Sequence, residues 1–311
     1  MERPRLISDL DAIWTHLLIL VSTSAGSGKT TLLSAWVSKQ EHCVAWLSLD
    51  ALDNDPIRFW TASIAALRRC LPTLGEEAFA LLHSREAPPL STILATLLNE
   101  IMQADREVVF ILDDYHVIED QAIHQGLLFL LDHAPATLHL VLATRTDPEL
   151  PLSRLRVRGL MVEIRSSDLR FTQEETAHFL VHSMSLPLTE EDVSILSKRT
   201  EGWIAGLHLA ALSLRKRQDL SSFVKDFEGS HRHLLDYIQQ DILARLPVPL
   251  QDFLLQTSIL TRMNAAVCQA LTVSPTLEGS QQMLEEMERA NLFVVPLDEQ
   301  RQWYRYHDLF R

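Results

Sequence analysis

Short uninterrupted apolar runs fall at residues 17–21, 44–49, 108–112 and 138–143, and between them apolar residues recur every three or four positions. A short apolar run bounded by turn residues reads as a strand buried on both faces, and the longer period reads as helix. Their alternation predicts a parallel α/β sheet with helices on both faces. A fifth candidate strand at 160–164 follows the stretch DPELPLSRLRVRG, after which strand character stops for most of the remaining chain.

That change of pattern sets a domain boundary near residue 170. Beyond it, Thr172 begins T-Q-E-E and Thr189 begins T-E-E-D, each with an acid three positions after a hydroxyl, as in a helix capping box. Further amphipathic segments at 203–214, 231–246, 250–256, 265–271 and 281–290 make this region helical. Near the end, LFVVPL and QWYRYH flank the polar DEQR, which predicts a β-hairpin. Helices followed by a terminal hairpin suggest a winged helix. The expected division is 1–170, an α/β P-loop NTPase domain, then 171–240, an α-helical domain, then 241–311, a C-terminal winged-helix domain. The length of 311 residues suits two or three domains at roughly 100–200 residues each.

Composition narrows the function. With 47% hydrophobic and 22% charged residues the chain should fold around a sizeable core. Its net charge of −13 gives no global positive field for nucleic acid or an anionic membrane, so any DNA contact must be local or supplied elsewhere. Cys43, Cys70 and Cys268 lie far apart in sequence, with neither a disulfide framework nor a C-x-x-C knuckle, and are expected as buried thiols of a reducing cytosol. No signal-peptide layout and no membrane-spanning run is evident, so the expected location is cytoplasmic.

The strongest chemistry lies in LLILVSTSAGSGKTTLL, where an apolar strand enters a small-residue loop and then a helix. Polyphosphate needs converging backbone N–H groups without bulky side chains, the positive end of a helix, and a mobile cation. Ala25, Gly26, Ser27 and Gly28 form the loop, and Lys29 supplies the cation. Thr30 would place its hydroxyl on Mg²⁺, and Thr31 faces the α-phosphate side. The general pattern G-x-x-x-x-G-K-[ST] has Thr23 at its first glycine position here. In REVVFILDDYHVIED a strand ends in Asp113 and Asp114, of which Asp113 would hold magnesium through water and Asp114 would orient or deprotonate the attacking water. The next strand, LHLVLATRTDP, ends beside Arg145, which could sense the γ-phosphate.

These motifs, with VAWLSLDALDNDPIRFW, DLRFTQEETAHFL and EGWIAGLHLAAL, resemble the nucleotide-binding module of MalT-like, LuxR-family transcriptional activators, a branch of the STAND class of P-loop NTPases. The resemblance runs from about residue 3 to 311. It implies an ATP/ADP-dependent switch that rests closed on ADP, opens and self-associates with ATP and an inducer, and hydrolyses ATP slowly at most. It also implies that a small or hydroxyl residue such as Thr23 suits the first glycine position. YRYHDLF resembles the winged-helix motif whose histidine reaches the β-phosphate of ADP, which makes His307 a latch or, alternatively, a residue packing the wing. Where other STAND proteins carry a glycine-x-proline motif near adenine, this chain has the segment from Gly202 to Gly206, so the adenine contact stays open. Activators of this class continue into a helical-repeat sensor and a helix-turn-helix reader. The chain is expected to lack that tail, to reach DNA only indirectly, and to act through itself, a protein partner or a missing sensor.

Other residues suggest packing or solvation. His178 and His182 have a metal-compatible spacing without a third ligand. His231 and His233 fall on different helix faces. Trp46, Phe59, Trp60 and Trp203 are expected in the core, and Glu285, Glu286 and Glu288 on a solvated helix face. The competing functions are a P-loop kinase, disfavoured by the long helical tail, and a module that binds nucleotide without turnover. GTP is disfavoured by the lack of an N-K-x-D guanine-reading motif.

Overall fold

The computed structural model describes residues 3–215, 220, 223–224, 232–272 and 276–310. The chain divides into two compact units, one of Pro4–Thr23 and Lys29–Arg165, the other of Met1–Arg3, Ser24–Gly28 and Ser166–Arg311.

The first unit is built on five parallel strands, β1 (Leu18–Ser22), β2 (Cys43–Ser48), β3 (Val108–Asp113), β4 (Leu138–Thr144) and β5 (Met161–Arg165). Their spatial order is β2-β3-β4-β1-β5. The three central strands are buried at every position, which is why they read as unbroken apolar runs, whereas β2 and β5 lie at the edges and are only partly covered. Helices Pro56–Cys70 and Gln121–His133 start cleanly because Asp55 accepts from the Arg58 amide and Asp120 from the amides of Ala122 and Ile123. The register sets Ser22 opposite Thr144 and Leu112 opposite Leu142, so the carboxyl ends of β1, β3 and β4 finish level.

Phe59 and Trp60 are core residues, as expected, and meet edge-to-face at 4.9 Å. Trp46 is not: it stands on edge strand β2, half-exposed, with its indole N–H donated to Ser48. The cysteines also differ from expectation, since only Cys268 is buried while Cys43 and Cys70 are half-buried. Burial, with Cys70 alongside, pushes the Cys43 thiol up to about 12, and burial pushes Cys268 up to about 11, so neither is poised as a thiolate.

In the second unit both expected capping boxes form, Thr172 with Glu175 and Thr189 with Asp192. Helix Gln173–Ala177 runs into a π-helical turn, His178–Ser183, where the His178 and His182 rings lie 5.2 Å apart. Among the described residues no group of three metal-ligating side chains exists. Helices Ile204–Leu214, Val248–Thr257, Ala265–Leu271 and Leu277–Arg289 follow. Strands β6 (Val294–Pro296) and β7 (Tyr304–Tyr306) close the chain as the antiparallel hairpin. The Tyr306 hydroxyl lies 2.6 Å from the Thr257 hydroxyl, and both tyrosines of β7 are buried, which seals the hairpin onto the helices.

Three expectations shift here. The helix expected from residue 281 begins at Leu277, because the Thr276 hydroxyl accepts from the Gly279 amide. Glu286 is exposed, but Glu288 accepts from Tyr304 and pairs with Arg301, so the acidic run is not wholly a solvated face. The segment expected as one helix at 231–246 is a short α-helix Arg232–Tyr237, a π turn Ile238–Ile242 and a 3₁₀ turn Leu243–Arg245. His231 and the side chain of His233 lie outside the described residues.

Candidate phosphate site

Strand β1 ends at Ser22, but its path continues one residue further. The Thr23 amide donates to the Thr144 carbonyl at 3.2 Å and the residue is fully buried, so Thr23 extends the strand rather than opening a turn. A glycine is therefore not needed there. It is needed at Gly26 and Gly28, whose φ values of 66° and 89° lie in the left-handed region. Gly26 is also pressed too closely for a side chain, since an added Cβ would come within 2.7 Å of the Ala205 Cβ and the Tyr237 hydroxyl. Ala25 and Ser27 complete the loop, which leads without a break into helix Lys29–Val37. Thr30 and Thr31 are exposed in that helix's first turn.

Within the first unit, the carboxyl ends of β1, β3 and β4 gather a charged cluster. Lys29 is buried and its ammonium donates to the Thr23 carbonyl at 2.8 Å. Burial, and next the neighbouring Arg145 guanidinium, pull it down to about 8, with Asp114 and Asp113 pulling the other way. The Thr30 hydroxyl donates to Asp113 at 2.9 Å, and the Asp114 amide donates to the other Asp113 oxygen at 3.0 Å. Burial pushes the Asp113 carboxyl up, opposed by the Thr30 hydrogen bond. Asp114 is half-buried, sits at φ 59° and lies 3.7 Å from the His116 ring. Thus Lys29, Thr30, Asp113, Asp114 and Arg145 are brought together as the sequence suggested. A hydroxyl beside a carboxylate is an oxygen donor set that suits magnesium, which takes one or two protein oxygens and fills the rest with phosphate and water.

The second unit holds Ala25, Gly26, Ser27, Gly28 and His307. His307 is buried, and its Nδ1 accepts from the Leu309 amide at 3.2 Å, so the ring proton sits on Nε2. The ring lines a cavity with Ser24, Ser27, Ser166, Trp203 and Phe293. Sequence reasoning missed Ser166, whose hydroxyl accepts from the Ser24 amide at 3.4 Å and donates to Asn291 at 2.9 Å. It also missed Glu201, which receives Arg170 at 2.8 Å and both Arg305 nitrogens at 2.7 and 2.9 Å. The available signal was the odd dipeptide Glu201-Gly202, both residues in the left-handed region at a helix end.

The MalT winged helix domain matches residues 239–311. The HTH-type transcriptional regulators MalT of Klebsiella pneumoniae and Yersinia enterocolitica are each 34% identical over 310 residues, 99% of this chain. The chain resembles MalT from end to end. It spans only about a third of those relatives, 34% of their length. Among solved structures, a Walker-type ATPase of Pyrococcus abyssi aligns with TM-score 0.65 at 15% identity, covering 99% of this chain and 94% of that one. A STAND protein with a tetratricopeptide repeat sensor from Pyrococcus horikoshii aligns with TM-score 0.51 at 17% identity, covering 100% and 41%. The fold is that of these ATPases, with a helical region and a MalT-type winged helix after the sheet.

One expectation is overturned. The absence of a helix-turn-helix tail was to leave DNA reached only indirectly, but a winged helix domain is present at 239–311 and the matched relatives are HTH-type regulators that extend well beyond this chain. Since the chain covers a third of such a regulator, its end is no ground for excluding a DNA reader.

Proposed function

We infer that the chain is the nucleotide-dependent switch of a MalT-like transcription regulator, binding ATP or ADP with Mg²⁺. The observation that carries this reading is the 2.9 Å bond from Thr30 to Asp113, a hydroxyl beside a carboxylate, with the buried Lys29 one residue before Thr30. In open α/β sheets ligands sit at this carboxyl edge. Loop amides from Ala25 to Gly28, with Lys29 and Thr31, hold the phosphates. Thr30 and Asp113 would hold Mg²⁺, which when bound neutralises phosphate charge. Asp114 orients the attacking water, Arg145 senses the γ-phosphate, and the Nε2–H of His307 donates to the β-phosphate of ADP. Hydrolysis is slow and resets the switch, and assembly follows ATP binding. ATP is preferred to GTP because the chain has no N-K-x-D motif.

We keep the division into 1–170, 171–240 and 241–311, and place the chain in the cytoplasm. Supporting that location, no described helix is long and apolar enough to cross a membrane.

The test is to denature the freshly purified chain, identify any released nucleotide by chromatography, and titrate the intact chain with ADP and Mg²⁺-ATP. Released ADP, or tight ADP affinity with magnesium-dependent ATP binding, supports the switch. Finding neither would put the alternative, an interaction module, in the lead, and rapid phosphate transfer to a small metabolite would sink the switch outright.

A further inference from the structure

The motif E-G-W-I-A-G at 201–206 takes no part in the chemistry above, yet Glu201, Gly202, Trp203, Ala205 and Gly206 each meet a specific neighbour. A phosphate-binding loop turns its N–H groups inward, so its carbonyls turn outward and need donors of their own. The first turn of a helix has the opposite surplus, N–H groups without intrahelical partners. Here the two surpluses meet within one unit. The Ala205 amide, in the first turn of Ile204–Leu214, donates to the Gly26 carbonyl at 3.2 Å, and the Trp203 indole N–H donates to the Ala25 carbonyl at 3.2 Å.

The indole is held without slack. An added Cβ on Gly202 would come within 2.4 Å of the Phe171 carbonyl, and one on Gly206 within 2.9 Å of both the Trp203 ring and Leu309. On its other side the ring meets Phe293 edge-on at 5.1 Å and His307 edge-on at 6.2 Å. Trp203 therefore touches the loop backbone through a hydrogen bond and the wing histidine through its ring.

We propose that Trp203 is a positioning residue that carries the conformation of the phosphate loop to the wing bearing His307. This rests on the nucleotide-switch reading and names its internal coupling. A loop carbonyl that moves with phosphate occupancy shifts or releases the indole, and the indole can move only by displacing Phe293 and His307.

The test uses the full chain and fluorescently labelled ADP. Trp203→Phe keeps an aromatic ring but deletes the N–H donor. It should speed ADP release about fivefold, the worth of one hydrogen bond. Equal release rates would overturn the proposal. Should that variant fail to fold, 5-fluorotryptophan labelling of the wild type gives the second readout: the ¹⁹F resonance of Trp203, assigned against single replacements of the other tryptophans, should differ between ADP and Mg²⁺-ATP. An unchanged resonance would equally refute the coupling. A wild-type chain that binds no nucleotide overturns the switch reading and this one together, whereas a wild type that holds ADP beside an unaffected Trp203→Phe overturns the coupling alone.

Discussion

The two units solve the problem of order differently. In the sheet unit, three fully buried strands and their helices form one continuous core, and the non-glycine residues with positive φ are Asp105, at a helix end, and Asp114, beside the charged cluster. In the second unit, positive φ values recur at Ser185, Glu201, Asn291, Phe293 and Arg301, and two helices pass into π turns. Such conformations cost of order 1–3 kcal/mol each and persist where the surroundings over-determine them, typically at binding and switching sites. Asn291 and Phe293 flank the cavity that His307 lines. The sheet unit is thus ordered by burial with few departures from regular backbone, whereas the second unit depends on irregular backbone, part of it beside His307.

Substitutions can break that contrast at different strengths. The largest effect is expected from Leu140→Ala in the middle of β4, a fully buried position whose truncation should cost about 2–5 kcal/mol in urea unfolding. A loss under 1 kcal/mol would mean the sheet core is not the stable unit described. Lys29→Ala should lower nucleotide affinity by at least roughly ten- to hundredfold, since bonds from a charged group are worth about 1.5–3 kcal/mol, without lowering stability. Calorimetric titration that finds unchanged ATP affinity would refute the phosphate site. Smaller still, Thr172→Ala removes one capping box from the second unit and should cost about 1 kcal/mol, readable as faster amide exchange in Gln173–Ala177 while exchange in β3 stays unchanged.

The gentlest probe is pH. Lys29 has a folded value of about 8 against an ordinary 10.5, so between those limits the unfolded chain binds more protons and folding stability rises with pH. Nucleotide binding should show the opposite sign. Phosphate favours the ammonium, so the complex holds its proton to higher pH than the free chain does, and affinity should fall as pH rises through about 8, by at most about tenfold per pH unit. In Lys29→Ala both slopes should vanish, and a wild-type affinity flat from pH 7 to 9.5 would remove the ammonium from the grip.

Much of the molecule was legible because those signals are local. Continuous apolar runs must be buried on both faces, glycines at 26 and 28 mark left-handed backbone, and a hydroxyl three residues before an acid caps a helix at Thr172 and Thr189. Neither the sheet order nor the meeting of Thr30 with Asp113 is local, and the sequence suggested that meeting only through the expectation of a parallel sheet. Trp46 was misjudged because an aromatic pattern cannot tell an edge strand from a central one. Glu288 was misjudged because a charged helix face is solvated only until a hairpin covers it.

What the sequence determined by itself is the kind of chemistry available: a glycine-rich loop, a lysine, a hydroxyl and two acids, each at the end of a strand or the start of a helix. What only the tertiary structure decided is which groups share partners. The carbonyls of Ala25 and Gly26 find the Trp203 indole and the Ala205 amide far along the chain, and Arg170 and Arg305 converge on Glu201. Hydrogen bonds of that reach leave no periodicity in the sequence, because burial obliges every polar group to find a partner without saying where along the chain it lies.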